Sequence, residues 1–379
     1  MKIADIELLP IRHGSVNSIA TVSADQASLI HSVVVRIQTD SGIVGLGEAV
    51  PSFSAHRGNI GGLMDTLRLL VSAVKGADAS NVNGIQVRFD DASSADLIGC
   101  QEARSAIVMA ILDVIGKTRG VPVHAVMGGS YRTEMETIGS MSEISPEACA
   151  NRSQFLVENG AAAVKVDLGK EMLVTDEGMG QAKDKLLAVL RAVGSEVQVY
   201  AQGSWKSTEQ VKGFVASVLS DHFYSNLSVQ QPLHSLDLEG HAVLRETLPI
   251  PVVLDESVES ARAMMQILRL AAADRIVLDA NRVGGLIRAK QIIDICDSAT
   301  VGVSIGGWRG TRLGLTAHAH LASTVRDPLP IDVGSESALA NSPFSGGFEM
   351  RDGRLILGNE PGLGIVLNEE ELRSSIVEV

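Results

Sequence analysis

Five short apolar runs lie at a regular interval along the middle of the chain, and each ends in polar residues. Continuous β-branched runs of this length are typical of parallel strands that are buried on both faces. The segments between them, such as residues 180–193 and 207–219, have the apolar spacing of amphipathic helices. This alternation predicts a (β/α) barrel. The runs occupy residues 163–167, 197–200, 227–232, 250–257 and 275–279, of which 227–232 is the weakest.

Polar residues follow each of these predicted strands. In a (β/α) barrel the catalytic side chains lie at the carboxyl ends of the strands, which meet around one mouth. Residues 301–305 predict a further strand, the seventh of the barrel, and residues 313–323 predict the helix behind it. Six polar side chains are therefore expected to share one cavity: Lys165, Asp167, Tyr200, Gln230, Asp255 and Asp279.

The first third of the chain has a different pattern. Residues 1–12 and 30–50 alternate apolar and polar positions, as in an antiparallel meander. Residues 59–75 and 101–118 have helical apolar spacing. These features predict a separate α+β domain over residues 1–125, ahead of a barrel domain over residues 126–339.

Two polar, small-residue segments and the tail complete this organisation. Residues 13–29 and 51–59 are typical either of loops that cover an active site or of ordinary exposed linkers. In the tail, about residues 340–379, the strand-like residues 354–357 are expected to pack back on the N-terminal sheet.

Composition narrows the class of protein. The 379 residues are more than one barrel needs, and the net charge of −13 argues against a nucleic-acid partner. No apolar run approaches a membrane span and the first residues lack a signal-peptide core, so we expect a cytoplasmic protein without a membrane partner. The three cysteines have neither metal-ligand nor disulfide spacing.

Several segments in this order and spacing resemble the enolase superfamily, and within it the mandelate racemase/muconate lactonizing enzyme family. The resemblance covers nearly the whole chain. It implies a modified (β/α)7β barrel of the TIM type, with an α+β capping domain that the tail completes. It also implies Mg2+-assisted proton abstraction next to a carboxylate, and a homo-oligomer, either a dimer or an octamer. The segments are residues 42–49, 106–122, 128–129, 201–205, 231–232, 255–257, 283–285 and 361–365.

The active-site positions depart from the family pattern. The family usually has Lys-x-Lys after the second strand, where this chain has Lys165 and Asp167. Its three metal carboxylates fall at Tyr200, Gln230 and Asp255, so one acid remains.

The sixth-strand position also differs from each branch of the family. The muconate lactonizing branch has a lysine where this chain has Asp279. The mandelate racemase branch has an aspartate paired with a seventh-strand histidine, but no histidine lies within residues 305–308. The pair Gly306-Gly307 resembles the muconate lactonizing branch.

Replacing two carboxylates by a phenol and an amide removes about two negative charges from a site that must hold a hard cation. The usual Mg2+ site is therefore expected to be severely weakened or absent, and no cofactor is certain. One alternative is a displaced metal held by Asp167, Asp255 and Asp279. The other makes Asp167 and Asp279 an acid/base pair, with Lys165, Arg282 and Arg309 as the available cations.

Each site residue has a functional and a structural interpretation. Lys165 is the base or the clamp for the substrate carboxylate, or it forms an ion pair with Asp167 or Asp255. Asp255, with Glu256, alternatively caps the helix that follows, and Asp279 alternatively caps the turn to Arg282. Tyr200 is a proton donor, or it hydrogen-bonds Gln230.

Four residues are candidates for binding the substrate, and two histidines are not. Position in the chain suggests substrate contacts for Gln230, His56, Trp308 and Arg309. His318 and His320 lie within the apolar pattern of a helix, which indicates a structural role.

The sequence therefore favours an isomerase or lyase, that is, a racemase, epimerase, cycloisomerase or dehydratase. Its partner would be a small-molecule carboxylate, bound in an atypical site that is either metal-free or holds a displaced metal. The rival interpretation is a barrel that has lost catalysis and binds a small ligand or a protein partner.

Overall fold

A computed structural model describes residues 1–15, 29–51, 59–92, 100–142, 145–169, 172–307, 309–333 and 342–379. Most of the two predicted loops, residues 13–29 and 51–59, lies outside the described residues, and so do His56 and Trp308. No helix in the described part of the chain is long and apolar enough to cross a membrane.

The N-terminal region is a three-stranded antiparallel sheet, β1-β2-β3, covered by helices. Gly45 and Gly47 let the third strand press against the third helix, because a Cβ at either position would lie within about 2.1 Å of a backbone carbonyl oxygen of that helix. The α+β architecture predicted for this region is confirmed. Its elements are β1 (Ile3–Ser15), β2 (Leu29–Thr39), β3 (Val44–Ala49), α1 (Ile60–Val74), α2 (Val82–Ala92) and α3 (Gln101–Arg119).

Eight parallel strands follow the short helix α4 (Val123–Val126) and close into a barrel. In the described part of the chain the first seven of these strands pair in chain order, and the eighth pairs back with the first. The predicted (β/α)7β barrel is therefore confirmed. The strands are β4 (Glu134–Met141), β5 (Ala163–Asp167), β6 (Gln198–Gln202), β7 (Leu227–Gln230), β8 (Val252–Leu254), β9 (Arg275–Leu278), β10 (Gly302–Ile305) and β11 (Ile331–Asp332).

Helices surround the barrel strands, and hydroxyl or carboxylate caps fix where most of them begin. Ser145, Thr175, Ser207 and Ser260 each accept a hydrogen bond from a backbone N–H of the first turn. The helices are α5 (Pro146–Glu158), a 3-10 turn (Met172–Val174), α6 (Asp176–Val193), α7 (Thr208–Val218), α8 (Leu238–Thr247), α9 (Ala261–Leu270), α10 (Ala280–Val283), α11 (Leu286–Ala299) and α12 (Arg312–Ala322).

The register of the parallel strands decides which side chains enter the barrel. Lys165 is aligned with Tyr200, and Asp167 with Gln202, whose next partner is Gln230. Because side chains alternate between faces, these residues and Asp255, Asp279 and Asp332 all point inward. Below them an apolar cluster fills the barrel: Ile138, Ala163, Tyr200, Val253 and Val277.

The tail does not follow the expected path. Residues 354–356 pair with residues 134–136 of β4, and Arg354 Nη1 lies 2.9 Å from Glu134 Oε1. The expectation that residues 354–357 join the N-terminal sheet is therefore wrong. The residues after the terminal helix do return to that sheet, because Val377 N donates to Pro10 O. The tail elements are β12 (Phe344–Gly346), β13 (Phe348–Arg351), β14 (Arg354–Leu357), β15 (Ile365–Leu367) and α13 (Glu369–Ser375).

Glu48, on β3, joins the N-terminal sheet to the barrel. Its carboxylate is fully buried and accepts hydrogen bonds from Ser32 Oγ (2.7 Å), Thr311 N (3.0 Å), Thr311 Oγ1 (2.7 Å) and Gly314 N (3.2 Å). The last three donors belong to the amino-terminal end of α12. A side chain of one region therefore caps a helix of the other, and its negative charge suits that end of the helix dipole.

Candidate active site

Lys165 and Asp332 form an ion pair at the mouth of the barrel. The Lys165 ammonium donates to Asp332 Oδ2, and Ser140 Oγ donates to Asp332 Oδ1 at 3.1 Å. Gly306 makes room for this arrangement, since a Cβ there would lie 2.8 Å from Asp332 Cβ. Lys165 therefore pairs with neither Asp167 nor Asp255, its two predicted partners.

The ion pair sets the charge of Lys165. Burial of the side chain, which is 15% exposed, would lower the pKa of the ammonium. The carboxylates of Asp332 and Asp255 outweigh that effect and hold the pKa above its ordinary value, although nearby Arg309 opposes them. At neutral pH Lys165 is thus a cation and a proton donor. It is not a base until it has lost that proton.

Asp279, which follows β9, pairs with His318 of α12. Asp279 Oδ1 lies 3.2 Å from His318 Nε2 and also accepts from Asn281 N at 2.8 Å. His318 Nδ1 lies 2.9 Å from the carbonyl oxygen of Gly314. Since a carbonyl oxygen only accepts, Nδ1 carries the proton of the bond to Gly314. His318 therefore lies between the backbone of its own helix and the Asp279 carboxylate, with one ring nitrogen on each.

Charge and hydrogen bonds keep Asp279 ionised. Burial would raise the pKa of Asp279, but the hydrogen bond from His318 and the charge of Arg282 hold it below its ordinary value. The capping interpretation of Asp279 is also satisfied, through Asn281 N. Strands β5 and β9 are four apart in an eight-stranded barrel, so Lys165 and Asp279 face each other across the mouth.

Asp255 is engaged on both carboxylate oxygens. Gln230 Nε2 donates to Oδ2 at 2.9 Å, and Arg282 Nη1 donates to Oδ1 at 2.8 Å. Arg282 Nη1 also donates to the Asp255 carbonyl oxygen at 2.8 Å. The carboxylate is bound to an amide and a guanidinium, so the predicted interpretation of Asp255 as a helix cap is wrong.

Tyr200 points away from the mouth. The side chain is 2% exposed within the apolar cluster, and its phenol interacts with Arg275, the first residue of β9. Burial raises the pKa of the phenol and Arg275 only partly offsets this. Arg275 lies four residues before Asp279, or about 13 Å along a strand. The structure therefore does not bring the Tyr200 hydroxyl to the mouth, and the predicted hydrogen bond to Gln230 is not formed.

Asp167 and Gln202 lie side by side at the rim. Asp167 Oδ1 accepts from Gly169 N at 2.9 Å, and Lys185 Nζ donates to its carbonyl oxygen at 3.2 Å. The half-buried Gln202 points inward between Asp167 and Gln230. Arg309 is exposed and close enough to Lys165 to influence its charge.

The residues at the family's metal positions do not fit Mg2+ in the way the family holds it. Mg2+ needs oxygen ligands in near-octahedral geometry. Here Tyr200 points down the barrel, Gln230 donates through its amide nitrogen, and both oxygens of Asp255 hold other donors. Among the residues that the structure describes, no three His, Cys, Asp or Glu side chains gather as metal ligands, and Asp167, Asp255 and Asp279 are among those residues.

Two site residues escaped the sequence analysis. Asp332 stands on a two-residue strand without an apolar run to mark it. His318 was assigned a structural role because its helix is apolar on most faces, yet its ring reaches Asp279. The pair Gly306-Gly307 is the one local signal of these contacts. Gly306 lies against the carboxylate-bearing side chain of Asp332, and Gly307 lies against that of Asp279.

Two family models match the chain. Residues 9–128 match the mandelate racemase/muconate lactonizing enzyme N-terminal domain, and residues 148–371 match an enolase C-terminal domain-like model. The chain is 28% identical to L-Ala-D/L-Glu epimerase of Bacillus subtilis over 88% of its length and 89% of the relative. It is 25% identical to N-succinyl-L-Arg/Lys racemase of Bacillus cereus over 100% of its length and 98% of the relative.

Solved structures show the same fold. N-succinyl Arg/Lys racemase from Bacillus cereus superposes with a TM-score of 0.89 at 24% identity, covering 100% of this chain and 99% of that one. Muconate lactonizing enzyme from Pseudomonas putida gives a TM-score of 0.88 at 21% identity, with 100% of both chains covered. The chain belongs to the mandelate racemase/muconate lactonizing enzyme family of the enolase superfamily.

Proposed function

We propose that the protein is an isomerase or lyase that abstracts the proton α to the carboxylate of a small acid, in a site that does not use the family's three-carboxylate Mg2+ centre. The observation that supports this is that the Lys165 ammonium, which is paired with Asp332, lies across the mouth from the Asp279 carboxylate, which is paired with His318. Relatives named as epimerases, racemases, cycloisomerases and dehydratases support the reaction class.

Asp279 is the base in this proposal. Its carboxylate is ionised at neutral pH and hydrogen-bonded through Oδ1, which leaves Oδ2 on the side of Gly307 to accept the substrate proton. His318 holds the carboxylate in place. Asp167, on the opposite side of the mouth, is the alternative acid/base group.

Lys165 is the acid. Its ammonium gives a proton to the opposite face of the substrate carbon, which inverts that carbon, or to a departing hydroxyl group, which completes an elimination. The cations Lys165 and Arg309 also stabilise the enediolate between the two proton transfers. Gln202 and Gln230 line the same rim and orient polar groups of the substrate.

The test is incorporation of solvent deuterium at the α-carbon, followed by mass spectrometry in the presence of a metal chelator. The panel contains acid sugars, hydroxyacids and amino acids, together with the dipeptides and N-succinyl amino acids named for the relatives. We expect exchange with at least one compound and its loss in Lys165→Ala. Lys75→Ala, which removes an exposed lysine paired with Asp5, is the control.

A barrel that binds a ligand without turnover is the second candidate. Two observations favour it: both carboxylate oxygens of Asp255 already accept hydrogen bonds, and the Tyr200 phenol interacts with Arg275 at the bottom of the barrel. It predicts that compounds of the same panel raise the melting temperature while none gains deuterium. The proposed chemistry is refuted if no compound exchanges and Lys165→Ala leaves every measurement unchanged.

Metal dependence is measured separately, by calorimetric titration of metal-stripped protein with Mg2+ and Mn2+. The proposal expects no tight site. Tight binding that disappears in both Asp255→Asn and Asp279→Asn would instead support a displaced metal centre and return the electrophile to a divalent ion.

A further inference from the structure

The one carboxylate that this chain retains among the family's three metal positions is bound to an internal cation. Arg282 reaches from α10 to the end of the neighbouring strand β8 and donates twice to Asp255. Gln230 takes the other carboxylate oxygen. Asp255, which is 5% exposed, therefore presents no unbonded oxygen to the cavity, and its charge is balanced within the protein.

Arg282 keeps part of its hydrogen-bonding capacity. A guanidinium has five N–H donors, and both hydrogen bonds that Arg282 donates within the described part of the chain leave from Nη1. Within the described part of the chain, Nε and Nη2 have no hydrogen-bond acceptor, and they are not sealed in the interior. The side chain is 24% exposed. The Nε–Nη2 edge has the spacing that binds the two oxygens of a carboxylate.

The surroundings hold this guanidinium in place and charged. Helix α10 packs against α3, so Arg282 lies where the N-terminal region covers the rim of the barrel. Burial opposes its charge, but the carboxylates of Asp255, Asp279 and Glu256 outweigh that effect and raise its pKa. The same Asp255 carboxylate also attracts the Lys165 ammonium from the other side of the mouth and raises its pKa.

We propose that Arg282 is a built-in cation for a ligand's oxyanion, so that the protein binds small carboxylates through its Nε–Nη2 edge without any divalent metal. This inference rests on the proposed function only in taking a carboxylate as the ligand; it does not require turnover. Asp255 fixes the guanidinium, Gln230 fixes Asp255, and the free edge of Arg282 faces the ligand.

Malonate is the probe, and its uncharged diamide, malonamide, is the matched control compound. Binding is measured by calorimetry on metal-stripped full-length protein in chelator. We expect malonate to bind, malonamide not to bind, and added Mg2+ to leave the affinity unchanged. Arg282→Gln is expected to weaken malonate binding about tenfold or more, since a charged hydrogen-bond donor is lost.

Two further variants separate binding from folding. Arg282→Gln alone leaves Asp255 buried and unpaired, so Arg282→Gln/Asp255→Asn removes both charges together, and we expect it to fold and still not bind malonate. Arg245→Gln breaks another Arg–Asp pair, with Asp274 at the amino-terminal end of the barrel, and is expected to bind like the wild type.

Three outcomes overturn the inference: no binding of malonate, binding only with Mg2+, or equal binding by the wild type and the folded double variant. Deuterium exchange decides the proposed function independently. Malonate binding through Arg282 without any exchange keeps this inference and removes the enzyme proposal. Deuterium exchange by the wild type, together with malonate binding that the double variant leaves unchanged, keeps the enzyme proposal and removes this inference.

Discussion

Gly307 lies against Asp279 so closely that no larger side chain fits between them. A Cβ at position 307 would be 3.0 Å from Asp279 Cβ and 3.2 Å from its Oδ2, and the backbone has φ +80°. The glycine thus serves both the left-handed backbone and the position of the carboxylate.

Gly307→Ala is expected to destabilise the fold by about 1–2 kcal/mol from the backbone alone. It should also displace Asp279 and reduce deuterium exchange by more than the loss of folded protein explains. Urea unfolding and exchange rates measure the two effects. Gly302→Ala on β10 has room, with its nearest atom at 3.4 Å, and should change neither.

His318→Gln is expected to make the protein more sensitive to acid. His318 helps to hold the pKa of Asp279 below the ordinary 3.8, so Asp279 contributes stability above that pH and loses it as pH falls through the folded pKa. The glutamine carries no charge, so the loss should begin at a higher pH. The free energy of unfolding is measured against pH.

A double-mutant cycle identifies the source of this effect. In the Asp279→Asn background, His318→Gln should no longer change the acid dependence. An unchanged shift in that background would show that the imidazole acts on another group.

Asp332→Asn is expected to lower the pKa of Lys165, because burial then acts with less opposition. The wild-type pair stabilises the fold fully below the unfolded lysine pKa of 10.5, and this contribution disappears as pH rises through the higher folded pKa. Breaking a buried pair costs about 3 kcal/mol at neutral pH. The pKa of Lys165 is measured by NMR titration after reductive methylation of the lysines with a 13C label.

Asp5→Asn is the matched control, because it breaks a lysine pair that is exposed and therefore screened by solvent. If the Lys165 resonance titrates identically with and without Asp332, the ion pair does not set its charge.

Glu48→Gln is expected to destabilise the protein by about 2–3 kcal/mol. Both carboxylate oxygens accept hydrogen bonds, and the amide would turn a donor toward donors of α12. Urea unfolding measures this change. Glu7→Gln, at a half-exposed position paired with Arg36, should stay within about 0.5 kcal/mol, and an equal loss there would refute the capping role.

Periodicity was sufficient for the fold. Buried parallel strands leave continuous apolar runs, and the polar residue that ends each run marks the mouth, which located Lys165, Asp255 and Asp279. Asp332 is the second residue of a two-residue strand, and such a strand leaves no apolar run to detect.

The side-chain pairs that join different elements of the barrel could not be predicted from the sequence. Asp279 and His318 are 39 residues apart, and their contact depends on the rotation of α12 about its axis. The direction of the Tyr200 side chain depends on Arg275, because the phenol interacts with this first residue of β9 at the bottom of the barrel. Neither relationship has a local signature in the chain.

The cap that Glu48 places on α12 makes the two regions thermodynamically inseparable. A barrel produced alone would expose bare N–H groups at the start of α12, and the N-terminal sheet produced alone would hold a buried carboxylate without three of its donors. We therefore expect a single calorimetric melting transition for the whole chain. A chimera with a foreign N-terminal region should stay folded only if that region supplies an equivalent acid.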